Sequence, residues 1–296
     1  MAHDHSRDHN SVKNIKVAFF LNLGFTILEI IGGIYTNSIA IVSDAVHDLG
    51  DTFSLGSSWY LQHKSEQKSD QKFSYGYRRF SLLGALINSV ILILGSTYVV
   101  YEAIKRIQNP EPSDAQGMII FALIGVTVNG YAAYKLSHGK SMNEKVMSWH
   151  MIEDVLGWAA ILVAAIVLYF YDNQYIDPIL SLLITAYILF NVFKRFRETI
   201  YLFLQGVPVD VDLDAIKKSI LEIENVCSIH HTHIWSQDGE HHVFSTHVQV
   251  ENVTALDQLV HIKAQVKEAL KEFDFDHLTI ELELDESDCS VRSKDE

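Results

Sequence analysis

Long apolar stretches dominate the first two thirds of the chain. A membrane-spanning helix needs about 20 mostly apolar residues, and six segments meet that requirement: residues 17–35, 39–61, 80–101, 117–134, 146–171 and 175–193. A soluble domain rarely contains six such segments in a row. The pattern therefore predicts an α-helical membrane protein with six transmembrane helices within residues 17–205, preceded by a polar, histidine-containing tail at residues 1–16.

The polarity pattern changes after Gly206 and Pro208, which read as a linker. Helical and alternating patterns then predict the order helix, strand, strand, helix, strand. These elements cover residues 212–224, 226–235, 242–250, 254–272 and 277–283. Asp212 is expected to cap the first helix, and Asp238 with Gly239 to form the turn between the first two strands. The αββαβ order predicts a small α+β domain at residues 206–286, with a flexible tail at residues 287–296.

Charge divides the chain at the same place. The net charge is −14, and residues from 207 onward contain 7 basic and 20 acidic residues. Such an acidic domain argues against nucleic acid as a partner and suits contact with cations. Lys and Arg concentrate in the loops on one side of the predicted membrane, so the positive-inside rule places both termini in the cytoplasm.

Ionisable residues interrupt two of the predicted spans. The second carries three acids and a histidine, and the fifth carries two acids and a histidine: Asp44, His47, Asp48, Asp51, His150, Glu153 and Asp154. Each such group in mid-bilayer costs a few kcal/mol even on lenient scales. Their presence therefore indicates function, although a single acid often only hydrogen-bonds a neighbouring helix. Asp44, Asp48 and Glu153 are assigned such supporting parts.

Two His-x-x-x-Asp pairs stand out among these residues. His47 and Asp51 lie one turn apart on one helix face, as do His150 and Asp154. The second and fifth spans run antiparallel, which sets His47 level with Asp154 and Asp51 level with His150. Two imidazoles and two carboxylates suit zinc and related ions, whereas calcium and magnesium prefer more oxygen ligands. Protons compete for the same groups, which provides a route to metal–proton exchange.

At these residues the sequence resembles the cation diffusion facilitator family. The resemblance rests on SIAIVSDAVHDLGD (residues 38–51), HMIED (150–154), EAIKR with the following NP (102–110) and HHTHIW (230–235), and it covers nearly the whole chain. It implies a bacterial-type zinc exporter that works as a homodimer in the cell membrane by proton antiport. Some family members carry ligands in the loop after the second span, but here residues 73–79 contain no histidine.

The resemblance also implies that the tail domain is a cytoplasmic, metallochaperone-like (ferredoxin-like) domain that binds regulatory zinc. Of its eight histidines, it points to three as ligands together with one glutamate: His230, His247, His277 and Glu283. Glu281 could replace or join Glu283. In this family His at the position of His47 goes with zinc preference.

Two other functions remain open at this point. The same intramembrane site would also serve a metal-gated channel or a metal sensor. An intramembrane metalloenzyme is disfavoured, because His150 and Glu153 are not followed by the second histidine of a His-Glu-x-x-His motif. The N-terminal histidines could capture zinc loosely or could be part of a disordered leader. We therefore predict a transporter, with zinc as cargo and protons as counter-ion, and not an enzyme.

Overall fold

A computed structural model describes residues 5–65, 67–137, 142–171 and 173–284. The side chains outside the described set are those of residues up to 18, of 142–150, and of 21, 55, 58, 59, 62, 63, 135 and 136. The chain divides into two compact units. The first, here called the helical unit, contains residues 1–64 and 84–197. The second, here called the αβ unit, contains residues 65–83 and 198–296.

Long helices make up the helical unit. They are α1 (His5–Thr36), α2 (Ile39–Ser65), α3 (Phe80–Gln108), α4 (Ala115–Ser137), α5 (Met142–Phe170) and α6 (Ile176–Phe203). Among the described residues, four helical segments are long and apolar enough to cross a membrane: Phe80–Gln108, Ala115–Tyr134, Met151–Phe170 and Ile176–Phe203. The more polar α1 and α2 fall outside this set. Six transmembrane spans therefore remain a prediction.

The helical surface is apolar and the helical interior is partly polar. Leu94, Tyr131 and Phe190 are 66%, 67% and 71% exposed, whereas Glu29 and Thr185 are almost fully buried. This distribution is the reverse of that in a water-soluble bundle, and it is expected where helices face lipid and must pair their polar groups internally.

Two glycines let α4 pack closely against its neighbours α5 and α1. A Cβ atom added at Gly125 of α4 would lie 2.1 Å from the ring of Trp158 in α5, and one at Gly32 of α1 would lie 2.6 Å from Phe121 in α4. Trp158 is buried at the centre of this contact. Because Gly125 has no side chain, α4 can pack closely against the part of α5 that follows Asp154.

The N-terminal residues differ from the prediction in one respect. Residues 1–16 were expected to form a tail separate from the first span, but α1 already begins at His5. Residues 5–16 contain no proline and no glycine, so nothing in the sequence interrupts the helix before its apolar part begins.

The αβ unit contains α7 (Leu213–Leu221), β1 (Val226–Ser236), β2 (His242–Val250), α8 (Leu256–Ala269), a short 3-10 helix (Lys271–Phe273) and β3 (Phe275–Glu283). This is the predicted αββαβ order. The sheet order is β1-β2-β3; β1 and β2 are antiparallel, and β2 and β3 are parallel. The parallel pair requires a crossover, which α8 provides. Asp212 caps α7 as predicted, because its Oδ1 accepts the amides of Asp214 and Ala215 at 3.0 Å.

One face of the sheet packs on the two helices. Alternate residues of β2 and β3 meet apolar residues of α7 and α8 in a single core: Ile216, Ile220, Phe244, Val248, Ile262, Val266 and Ile280. The opposite set of strand positions carries the polar side chains. This alternation explains why the histidines and acids of the strands share one face of the sheet.

An irregularity interrupts the pairing of β1 with β2. His230 pairs with His247, but the next pair is His233 with Ser245, so the pairing is out of step between them. His231, in between, has a left-handed backbone with φ of 47°. An extra residue of this kind bends the strand and redirects its side chains.

The segment 65–83 packs with the αβ unit. The Asp70 carboxylate accepts the amides of Lys72 and Phe73 at 2.7 and 2.8 Å and the Tyr77 hydroxyl at 2.8 Å. These hydrogen bonds, led by that from Phe73, hold the pKa of the Asp70 carboxyl below its usual value. Farther along the segment, Arg78 forms an ion pair with Asp276 at the start of β3, at 2.9 Å.

Candidate metal sites

The first candidate site lies between α2 and α5. His47 Nε2 is 3.6 Å from Asp51 Oδ2 on the same helix and 4.0 Å from Asp154 Oδ1 on the neighbouring one. The i, i+4 spacing places the first pair on one face of α2. The contact with Asp154 is the one predicted from antiparallel spans. The structure thus places His47 near both carboxylates, Asp51 on its own helix and Asp154 on the neighbouring one.

The fourth predicted ligand of this group is His150. Its backbone belongs to α5, one helical turn before Asp154. Its side chain lies outside the described residues, so its approach to Asp51 remains a prediction.

The spacing of these donors suits a tetrahedral ion. Zinc lies about 2.0–2.2 Å from imidazole nitrogen and carboxylate oxygen. In a tetrahedron this separates the donors by about 3.3–3.6 Å, close to the 3.6 and 4.0 Å found around His47. The donor atoms of His47, Asp51 and Asp154 do not all lie within 4.8 Å of one another, because the one such group among the described residues lies elsewhere in the chain. The two carboxylates would therefore have to close around His47 for these residues to hold zinc or an ion of similar size.

The neighbouring acids occupy different surroundings. Asp44 is buried and faces α5 at Gly157, where an added Cβ atom would lie 3.6 Å from its Oδ1. Asp48 is also buried, whereas Glu153 is exposed on the outer surface of α5. Asp44 therefore lies beside the candidate site, and Glu153 points away from it.

The N-terminus of α2 is held by a residue that the sequence analysis did not assign. Asp177 of α6 is buried and accepts the Ser38 hydroxyl at 2.6 Å and the Ile39 amide at 2.8 Å. Arg106 of α3 approaches the same carboxylate at 3.9 Å. Free amides in the first helical turn favour a carboxylate, so Asp177 fixes the helix that carries His47 and Asp51. The sequence signal was an acid followed by Pro178 at the start of an apolar segment.

A second candidate site lies on the polar face of the sheet. Glu283 Oε2 is 2.9 Å from His230 Nε2, and Glu283 Oε1 is 2.6 Å from His247 Nδ1. One donor atom from each of these three residues lies within 4.8 Å of the others. Strand pairing explains the group, because His230 pairs with His247 across β1 and β2 while β3 brings Glu283 alongside. Below, these three residues are called the sheet cluster.

The chemistry of the sheet cluster fits a metal ion. Glu283 is only 2% exposed, and a buried carboxylate with two imidazoles is a common zinc ligand set. His230 Nε2 approaches Glu283 Oε2 to 2.9 Å but makes no hydrogen bond to any residue that the structure describes. An ion held between the two side chains would give this nitrogen a partner. Glu281, the alternative considered from the sequence, lies 3.4 Å from His247 Nε2 but is largely exposed.

His277 does not join the sheet cluster in this structure. It lies near the start of β3, pairs in register with Val243, and contacts Tyr75 with ring centres 5.0 Å apart. Glu283 is six residues farther along the strand, which at about 3.3 Å per residue amounts to roughly 20 Å. The expected group of His230, His247, His277 and Glu283 is therefore brought together only in part.

Comparisons with known proteins place both parts of the chain in one family. The family model described as the cation efflux transmembrane domain matches residues 15–204, and the one described as the cation efflux protein cytoplasmic domain matches residues 208–285. A cadmium, cobalt and zinc/H(+)-K(+) antiporter of Bacillus subtilis is 31% identical, covering 96% of this chain and 92% of the relative. The zinc transporter ZitB of Pectobacterium atrosepticum is 31% identical, over 99% and 93%.

Two further matches concern CzcD. The metal cation efflux system protein CzcD of Cupriavidus metallidurans is 32% identical, covering 96% of this chain and 91% of its own. A solved structure of the metal-bound C-terminal domain of the CzcD transporter is 33% identical, covering 25% of this chain and 100% of its own, with a TM-score of 0.23.

Proposed function

The chain belongs to the cation efflux family and exports divalent metal cations by antiport, and we propose that zinc is the preferred cargo and that protons are the counter-ion. Imidazole and carboxylate donors favour zinc over the harder calcium and magnesium ions. Relatives named as a zinc transporter and as a cadmium, cobalt and zinc antiporter support this choice.

The proposed transport site consists of His47, Asp51, His150 and Asp154. The observation that carries it is the approach of His47 to Asp154 across two helices, 4.0 Å between Nε2 and Oδ1. Helices α2 and α5 each carry a histidine and an aspartate at a similar depth in the membrane. Together they make a site that neither helix could form alone. Because the two ligand pairs come from different helices, a relative movement of α2 and α5 would loosen the site and release the ion.

Proton exchange follows from the ligand chemistry. His47 binds zinc through a neutral nitrogen, and Asp51 and Asp154 bind it as carboxylates. Protons that reach these groups from the opposite side of the membrane convert them to forms that bind metal poorly. Release of the cation and uptake of protons are then two halves of one exchange.

The proposed topology has six transmembrane helices with both termini in the cytoplasm, in the cell membrane of a bacterium. The lengths of α1 and α2 and the loop positions of Lys and Arg support it. The proposed assembly is a homodimer, which the match of residues 208–285 to the cytoplasmic domain of cation efflux proteins, a family named for its dimer, supports. The αβ unit then lies in the cytoplasm, where its sheet cluster binds regulatory zinc through His230, His247 and Glu283.

A transport assay at two proton gradients tests this proposal. Zinc uptake into proteoliposomes should be accelerated by an acidic interior, and Asp51→Ala or His150→Ala should reduce uptake to the level of empty vesicles. Glu153→Ala, a neighbouring exposed acid, is the matched control and should transport normally. Uptake that ignores the gradient would indicate a metal-gated channel, and uptake retained by Asp51→Ala would exclude this site.

A further inference from the structure

The irregular pairing of β1 places two consecutive histidines next to the same partner. In a regular strand, consecutive side chains point to opposite faces of the sheet, so His231 should point away from His230. In the structure, the ring of His231 instead lies 5.3 Å from the ring of His230 and 5.3 Å from that of His247, centre to centre. The left-handed backbone at His231 produces this arrangement.

The three rings have the mutual spacing of ligands around one ion. His230 and His247 are 5.5 Å apart, so the three centres form a nearly equilateral triangle. Three imidazoles that bind one tetrahedral zinc through nitrogens about 2.0–2.1 Å from it have ring centres roughly 5.2 Å apart. The side-chain torsion that turns a histidine ring is soft, so His231 can direct a nitrogen inward while its ring stays nearly in place.

Two features of His231 are costly unless it has a ligand. Its Nε2 atom is buried and makes no hydrogen bond to the part of the chain that the structure describes, so its desolvation is not compensated there. A left-handed backbone at a residue other than glycine is also strained. Glycine or asparagine would therefore fit this backbone position at a lower cost than histidine does. Metal binding would offset both costs.

We infer that His231 is a further metal ligand, which completes a four-donor site with the sheet cluster of His230, His247 and Glu283. Zinc in a closed protein site takes four ligands, and the sheet cluster supplies three. The competing fourth donor, Glu281, is 57% exposed in its side chain, whereas the Nε2 atom of His231 is buried beside the other rings. This inference rests on the proposed role of the αβ unit in metal binding.

Cobalt(II) binding to the full-length protein in detergent tests the inference. Every variant carries Asp154→Ala, so that the transport site does not contribute to the visible d–d absorption. His231→Gly should weaken cobalt binding at least about tenfold and change the absorption bands, because one nitrogen ligand is lost. The metal-free protein should unfold at the same or a higher temperature, since glycine adopts the left-handed backbone without strain.

Three further variants make the result decisive. His231→Asn, which also tolerates this backbone, should lose affinity in the same way if the glycine variant folds poorly. His233→Ala, an exposed histidine two residues along the same strand, should bind cobalt unchanged. If both His231 variants keep their cobalt affinity and absorption bands while His230→Ala loses binding, the role of His231 is overturned and the sheet cluster is not. Unchanged binding in His230→Ala would overturn the proposed metal site of the αβ unit itself.

Discussion

The two candidate sites use similar donors but differ in how closely those donors approach. Around His47 in the helical unit the donor atoms are 3.6 and 4.0 Å apart. In the sheet cluster, Glu283 lies 2.6 and 2.9 Å from its two histidines. The two distances to His47 are close to the donor separation around a tetrahedral zinc ion. The donors of the sheet cluster are in direct contact and would have to separate by less than about 1 Å to admit zinc.

The difference follows from the elements that carry the donors. Helices α2 and α5 meet through side-chain packing, which fixes their separation less tightly than backbone hydrogen bonds do. Strands β1, β2 and β3 are held at about 4.8 Å by backbone hydrogen bonds, so their side chains start from a fixed spacing. Donors on helices that can move relative to each other suit an ion that must leave, and donors on hydrogen-bonded strands suit an ion that stays.

The largest effect is expected from His47→Asp, which tests the ligand chemistry of the helical site. Exchange of a nitrogen for an oxygen donor makes the site harder, so zinc uptake should fall at least about tenfold relative to manganese uptake. Competing zinc and manganese uptake into proteoliposomes measures the ratio. Cobalt absorption of the sheet cluster should remain as before. An unchanged metal preference would mean that His47 does not contact the cargo.

A smaller effect is expected from Gly125→Ala, which tests how far helix packing sets the helical site. The new Cβ atom would meet Trp158 at 2.1 Å, and such overpacking costs about 1–3 kcal/mol. Thermal unfolding in detergent should occur at a lower temperature, and zinc uptake should fall because α5 is displaced. Gly24→Ala is the control, since no atom of the described residues lies within 4 Å of its Cβ position. Equal melting temperatures for the two variants would contradict close packing of α4 on α5.

The smallest effect is expected at the ion pair of Arg78 with Asp276. Both side chains are 35% exposed, and exposed ion pairs contribute about 0.2–1 kcal/mol. A double-mutant cycle with Arg78→Ala and Asp276→Ala should give a coupling energy in that range by denaturant unfolding. Arg78→Lys, which keeps the charge, should restore part of it. Cobalt affinity of the sheet cluster should stay the same. A change in that affinity would show that segment 65–83 influences the metal site.

Much of the fold could be predicted from local pattern. The order of helices and strands in the αβ unit and the cap at Asp212 followed from periodicity and from the residue at the helix start. The start of α1 at His5 was missed because the polar residues before the first apolar segment were assigned to a tail. The hold of Asp177 on the N-terminus of α2 could not be predicted, because the two residues that meet there are 138 positions apart.

The sequence by itself determined the pairs within each helix, since His47 and Asp51 lie one turn apart wherever α2 is placed. It also determined which strands carry histidines. Only the tertiary structure decided which of those histidines meet. Register and strand length set His277 apart from Glu283, and a left-handed residue brought His231 beside His230. Contacts across a sheet depend on pairing and bulges, and one residue of slip or insertion changes the face to which a side chain points.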